Sequence, residues 1–311
     1  MVTLNNITKV GIMISQTWPN SNKKEGKTLE VIEYAIKKDF FDAIQTVDIP
    51  FSSERKKISN LIKSNKLILT YCISRILNNG NFNLSDLDEY NRRRSSLEVI
   101  KRLNEANEAG AKKFAIISGP CPKDLKDRKI ALQKLEDSLI TICKAAASSY
   151  PEMEIIIEPM DISAHKKNSL GLTEEGIYLC SALRKKGLKL NLCLDTAHML
   201  LNNEDPIISL RKSKKYVSEF HFCNCITDPK KNNFGDFHIP FGFPGDIGIK
   251  EVAEIMKEAY KIGFFNERQK PSIFCEIFKR DKDESFKIIE QIIRIFKESW
   301  KISQEQLGLK C

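Results

Sequence analysis

An α/β fold, with a parallel sheet closed into a barrel, is what this sequence predicts, and three observations carry the prediction. Apolar runs of strand length alternate strictly with segments of helical spacing. The strand-like runs, such as VGIMIS and EIIIE, leave no face polar, which suits strands covered on both sides by helices. Eight such units divide the 311 residues at about 39 residues each, and eight βα units close into a (β/α)8 barrel.

The units follow in order. VGIMIS (10–15) is a compact apolar strand, and TLEVIEYAIKKD (28–39) has apolar residues at helical spacing. FDAIQTVDI (41–49) alternates as a second strand before the helix at 52–65. LILTYCIS (67–74) is the third strand, and the long helix at 87–110 stops at Gly110, a plausible residue just past the helix end. KFAIISG (113–119) precedes the helix at 126–150, which Pro151 breaks.

MEIIIEP (153–159) is strand five, and the helix at 172–187 has Thr173 as its expected cap and Gly187 as its stop. LKLNLCLD (188–195) leads into a helical stretch from about 197 to 214, broken at Pro206. YVSEFHFCN (216–224) and PSIFCEIF (271–278) are strands seven and eight, followed by helices at 250–263 and 283–301. Residues 226–248 form a long loop without a helix, rich in Pro, Gly and Asn, and loops of that length are usually functional or disordered. An open doubly wound sheet would announce a phosphate-binding glycine loop after strand one. SQTWPNSNKKEG contains none. One barrel domain over residues 1–311 is therefore expected.

Composition narrows the function classes. With 41% hydrophobic and 29% charged residues the chain reads as a soluble globular protein. No apolar run approaches the ~18 residues of a membrane span, and the N-terminus lacks secretory-signal architecture. The net charge of +9 is spread along the chain; its densest runs, Arg92–Arg94, Lys185–Lys186, Lys212–Lys215 and Lys230–Lys231, each fit a solvated helix face or loop. Nine Cys without CxxC pairs, several inside apolar runs, read as reduced thiols of a cytoplasmic protein. A homo-oligomer is compatible with this composition.

The chemistry lies at strand ends. In a parallel barrel the C-terminal ends of all strands line one mouth. Glu158, Asp195, His221 and Glu276 occupy equivalent places on strands five to eight and converge there, although 37, 26 and 55 residues separate them in sequence. Three carboxylates and one imidazole carry too much like charge to sit together bare, and a divalent cation resolves this. Such ligation suits Mn2+, Mg2+, Co2+ or Zn2+, and the absence of Cys at these four positions argues against a structural zinc. His198, three residues after Asp195, faces the same mouth as a substrate contact or opens the next helix. In GDFHIPFGFPGDIG, Asp236 and His238 form either a second metal pair, a substrate clasp or a structural turn. His165, beside two lysines, is expected on the solvated surface.

In order and spacing, IEPMD, LCLDTAH, FHFCN, GDFHIPFGFPGDIG and the glutamate of FCEIF resemble the xylose isomerase-like barrel superfamily over residues 153–278. That group contains sugar and sugar-phosphate isomerases, ketose 3-epimerases and apurinic-site endonucleases. The resemblance implies a metal held by Glu158, Asp195, His221 and Glu276. It implies that Glu158 and Glu276 move protons through a metal-bound enediolate of a small sugar or sugar phosphate. It also implies that His198 holds a substrate hydroxyl, with His238 as a further substrate contact. In the endonuclease branch His198, Asp236 and His238 match the ligand set of a second metal, which would make the chain a phosphodiesterase. That branch also takes two histidines from first-half strands; here none of the four His precedes His165, and Cys72 and Ser118 stand at strand ends three and four. Nucleic acid is therefore the less favoured partner. Ketose epimerases commonly place an arginine after the strand-seven histidine, whereas residues 224–248 contain no Arg and only Lys230 and Lys231 as cations.

Overall fold

The alternation of side chains along each strand sorts this sequence into two cores. A computed structural model describes residues 2–280 and 284–309. Its strands are β1 (Lys9–Met13), β2 (Ala43–Thr46), β3 (Ile68–Cys72), β4 (Lys113–Ile117), β5 (Glu154–Glu158), β6 (Asn191–Asp195), β7 (Val217–Ile226), β8 (Gly235–Ile239) and β9 (Ser272–Glu276). Eight of them pair in parallel in the order β6-β5-β4-β3-β2-β1-β9-β7, and a β6–β7 pairing closes the ring. This is the closed (β/α)8 barrel that the alternation of segments predicts.

Side chains at odd and even positions part company at the barrel wall. Ile155, Ile157, Leu192, Leu194, Phe220, Phe222, Ile273 and Cys275 join the large core between wall and helices. Their neighbours in sequence belong to small separate clusters: Cys72, Ala115, Ile156 and Cys193 in one, Met13, Ala43 and Phe274 in another. The second class also contains the polar residues of β5, β6, β7 and β9, so the wall's period of two places the chemistry inside the ring.

The helices follow the expected boundaries to within a few residues, including Thr173–Lys185, Pro206–Ser213 and Ile249–Lys261. Gly110 and Gly187 sit at φ of 79° and 73°, as helix stops at those positions require. Four expectations need correction. Thr173 is not the cap but the first helical residue. Leu172 holds the cap position, and its N–H donates to the Glu175 carboxylate at 2.9 Å. The last helix runs Ser285–Leu307; its expected first residue, Asp283, lies outside the described residues. Arg92 is not on a solvated face: it is buried and donates to the Asp86 carbonyl at 3.2 Å. The long segment after β7 is not free of secondary structure. β7 overruns the barrel rim to Ile226, and its outer end pairs antiparallel with β8 through Asn224–Ile239 and Ile226–Gly235. All eight described cysteines are free thiols, and all except Cys121 are buried. Among the described residues no helix is long and apolar enough to cross a membrane.

Gly11 on β1 is required by close approach rather than by backbone conformation, since a Cβ there would collide with the Phe274 ring. That ring packs edge-on against the His221 imidazole, with centroids 5.5 Å apart. Gly11→Ala is expected to destabilise the fold by about 1–3 kcal/mol through overpacking. Urea unfolding measures this, and an unchanged midpoint shows that Phe274 has room to retreat.

Candidate active site

The four residues read from the strand ends do converge. Ligand atoms of Glu158, Asp195, His221 and Glu276 all lie within 4.8 Å of one another. His221 is central: its Nδ1 is 2.8 Å from Glu276 Oε1 and 3.8 Å from Glu158 Oε1. Despite the short distance, Nδ1 makes no aligned hydrogen bond. Two ligands of one octahedral ion bound at ~2.1 Å stand about 3 Å apart without bonding to each other. The spacing and the orphaned nitrogen therefore fit a divalent cation, and the oxygen-rich donor set suits a hard or borderline ion.

Each side chain reaches the cluster for a local reason. Asp195 ends β6 and caps the short helix Thr196–Leu201, with Oδ1 accepting the N–H groups of Ala197 (2.7 Å) and His198 (3.2 Å). Its second oxygen is left for the cluster. Glu276 ends β9; its Oε2 accepts from Gln16 Nε2 at 3.1 Å and lies 2.7 Å from His238 Nε2. His221 is oriented from below. Its Nε2 faces Glu219 Oε1 at 3.1 Å and Cys193 Sγ at 3.2 Å. Glu219 is wholly buried; Thr70 donates to it at 2.8 Å and Lys113 Nζ lies 3.5 Å away. Burial acts to raise the Glu219 pKa, but Lys113 and His221 outweigh it and hold the carboxyl below its ordinary range. Burial acts to lower the His221 pKa, but the surrounding Cys193, Glu219 and Glu276 raise it above its ordinary value. Once the ring gives up a proton to an ion, the ionised Glu219 holds the remaining one on Nε2 and turns Nδ1 to the cluster, the usual outer support of a metal-binding histidine.

His198, 3% exposed, does enter the same mouth. Its Nε2 is 3.7 Å from Glu158 Oε1 and 3.8 Å from Asp236 Oδ2, and its Nδ1 is 3.6 Å from Asp161 Oδ2. Burial acts to lower its pKa, but Asp161, Asp236, Asp195 and Glu158 together raise it to about 10. Asp236 and His238, both on β8, are close as well, with Asp236 Oδ1 3.5 Å from His238 Nδ1. In the compact group at this second position the third member is Cys223 rather than the expected His198.

His165 departs from its expected surface position. It is half-buried and stacks on Phe237 with centroids 4.2 Å apart. Sequence reasoning passed over Asp161, Glu219, Lys166 and Gln16. Glu219 carried a signal, lying two residues before His221 and so on the same face of β7. Asp161 stands in the IEPMD motif three residues after Glu158, where its type alone does not separate a site residue from a loop carboxylate. A surface cavity of about 1170 Å³ opens at the opposite end of the barrel among Lys9, Lys113, Asn191 and Ser272. It contains none of these residues, and barrel chemistry belongs to the C-terminal face.

A family model described as xylose isomerase-like TIM barrel matches residues 32–299. The chain belongs to this family. Among curated proteins none matches the sequence significantly. Several solved structures share its fold. An L-ribulose 3-epimerase superposes with a TM-score of 0.73 at 15% identity, over 97% of each chain. D-psicose 3-epimerase from Clostridium cellulolyticum H10, solved with D-tagatose, gives 0.67 at 16% identity, over 98% of this chain and 100% of that one. The IOLI protein, solved with a bound zinc atom, gives 0.69 at 16% identity, over 96% and 99%. At such identities the likeness shows the barrel and not the reaction.

Glu219→Gln is expected to weaken divalent-ion binding by roughly 10–100-fold, because the imidazole loses its charged orienting partner. Isothermal titration of Mn2+ into metal-free protein reads the change. An unaltered affinity shows that His221 is held by other means.

Proposed function

We propose that the chain is a divalent-metal-dependent isomerase or epimerase of a sugar, sugar phosphate or related polyhydroxy carbonyl compound. The observation that carries this reading is a pair of glutamates, Glu158 and Glu276, that flank the His221 imidazole at 3.8 Å and 2.8 Å from its Nδ1 within one compact ligand group. Burial raises the Glu158 pKa. Burial acts on Glu276 too, but His221 and His238 outweigh it and lower its pKa. Two carboxyls whose environments separate them in this way can divide the roles of acid and base.

Glu158, Asp195, His221 and Glu276 would hold the ion. When bound, it supplies Lewis-acid polarisation of a carbonyl, which acidifies the neighbouring C–H. Glu276 would take that proton and Glu158 would deliver one drawn from solvent, the proton on Glu276 returning to solvent afterwards so that none is gained or lost. Return to the opposite face of the same carbon is epimerisation, and return to the adjacent carbon is isomerisation. His198 donates to a substrate oxygen in the gap between Glu158, Asp161 and Asp236. His238 steadies Glu276 Oε2 at 2.7 Å and meets the substrate from the β8 side. The reading extends to residues 1–311 as one catalytic barrel, and the buried free thiols support the reducing cytoplasm as its location.

A second reading rests on the Cys223, Asp236 and His238 group, which invites comparison with the endonuclease branch. Against it, the first-half strand ends supply no imidazole. Cys72 Sγ lies 3.3 Å from Ser74 Oγ, and burial raises its thiol pKa. Ser118 Oγ accepts the Leu170 N–H at 3.0 Å and so serves the loop after β5. Metal-dependent nicking of abasic DNA at a rate exceeding any sugar turnover would reverse the ranking.

Two outcomes test the main reading. In D2O the protein should introduce deuterium next to the carbonyl of its sugar substrate, and Glu158→Gln or Glu276→Gln should each slow this by roughly 10²–10⁴-fold. Proton NMR of a ketose panel, with metal content measured alongside, gives the answer; full exchange in either variant defeats the two-carboxylate scheme. The second outcome concerns pH. Burial raises Asp195 from its ordinary 3.8 to about 7 in the metal-free site. Below that pH a proton must leave before an ion enters. Affinity should therefore rise up to about tenfold per pH unit as pH climbs towards 7, and this group's contribution should level off above it. A Mn2+ affinity that is flat between pH 5.5 and 7 contradicts this.

A further inference from the structure

The second group of ligand type at the mouth has a cation beside its carboxylate. Cys223, Asp236 and His238 offer atoms within 4.8 Å of one another. Lys166 Nζ lies 3.3 Å from Asp236 Oδ2. The other Asp236 oxygen, Oδ1, accepts from Cys223 Sγ at 3.3 Å. His238 turns Nε2 to Glu276 Oε2 at 2.7 Å and Nδ1 to Asp236 Oδ1 at 3.5 Å.

The lysine is not a loose surface arm. The loop after β5 folds around the carboxylate of Asp161, which is fully buried. Asp161 Oδ1 accepts the N–H groups of His165 at 2.6 Å, Lys166 at 3.0 Å and Lys167 at 3.4 Å. Lys167 takes a left-handed φ of 53°, which completes the turn. The Lys166 backbone is thus held by Asp161, and its ammonium, on a side chain 30% exposed, lies in ion-pair range of Asp236.

We propose that the Lys166 ammonium fills the second cation position, so that this centre takes one divalent ion and excludes another. The inference rests on the metal-dependent reading of the first four ligands. Asp236 is the carboxylate that any ion at the second position must use. Cys223 and His238 face Asp236 Oδ1 and Lys166 faces Oδ2, so an ion held at ~2.0–2.6 Å by this carboxylate would share it with the ammonium and compete with it for the same charge. A tethered ammonium neutralises Asp236 without offering an open coordination position. Reactions that clamp attacking and leaving oxygens between two ions ~3.5–4 Å apart are closed to such a site. Proton transfer beside a carbonyl needs only one ion.

The test is a metal count on full-length protein stripped with chelator and dialysed against Mn2+ alone. The wild type should retain about one ion per chain, and Lys166→Met, which keeps the aliphatic stem, about two. Lys166→Arg should stay at about one, and Lys166→Met combined with Asp236→Asn should return to about one. A wild type that takes a second ion within about tenfold of the affinity of the first overturns the proposal without any variant. So does a Lys166→Met protein that melts cooperatively and still binds a single ion. Wild-type protein that binds no ion overturns the metal-dependent reading together with this one, whereas two ions in the wild type overturn only this one.

Discussion

Like charge crowded into a dry place is the constraint on which this molecule depends. Glu158, Asp161, Asp195, Asp236 and Glu276 meet at one end of the barrel, and none is more than slightly exposed. Burial alone would protonate several of them. The chain answers with a graded set of positive partners: His198 among three carboxylates, His238 against Glu276, and Lys166 against Asp236. Hydrogen bonding is still incomplete: His221 Nδ1, His198 Nδ1 and Asp236 Oδ2 all remain without an aligned partner, and only the His221 nitrogen lies within the quartet of Glu158, Asp195, His221 and Glu276. The unmet charge there argues for an ion more directly than any count of ligand-type residues.

The same barrel shows why some of this was legible in the sequence and some was not. The eight parallel strands were readable because strands covered on both faces are apolar at nearly every position. β8 was not, because GDFHI is short and half polar and exists as a strand only where β7 overruns the rim. Glu158, Asp195 and Glu276 were readable because each closes an apolar run, and His221 because it stands alone in one. Lys166 looked like solvated polar loop. Its inward course depends on backbone bonds to Asp161 that no local pattern announces. Glu219 was hidden differently: it lies near the start of its strand, where a charged residue reads as solvent-facing. Its burial follows from the ring geometry, with Thr70 and Lys113 reaching it from β3 and β4.

The interior of the ring is consequently not a passive hydrocarbon filling. A polar column runs from Lys113 through Glu219 to His221, flanked by the small apolar layer of Cys72, Ala115, Ile156 and Cys193. Buried ion pairs often add little net stability compared with apolar packing. This one has a directional task, since it decides which nitrogen of His221 faces the mouth. Phe274, accommodated by Gly11, presses on the same imidazole from the side. The histidine is thus held by charge from below and by packing across the ring.

The β7–β8 hairpin divides responsibility within the mouth. His221 lies in the part of β7 locked between β6 and β9, whereas Asp236 and His238 ride on a short ribbon attached by two registered pairs. Changes in that ribbon would leave the strands that carry the four-residue centre standing, and would reach it through the contact of His238 with Glu276. Editing this appendage would therefore reshape the rim of the mouth first and tune the reactive centre only through one imidazole.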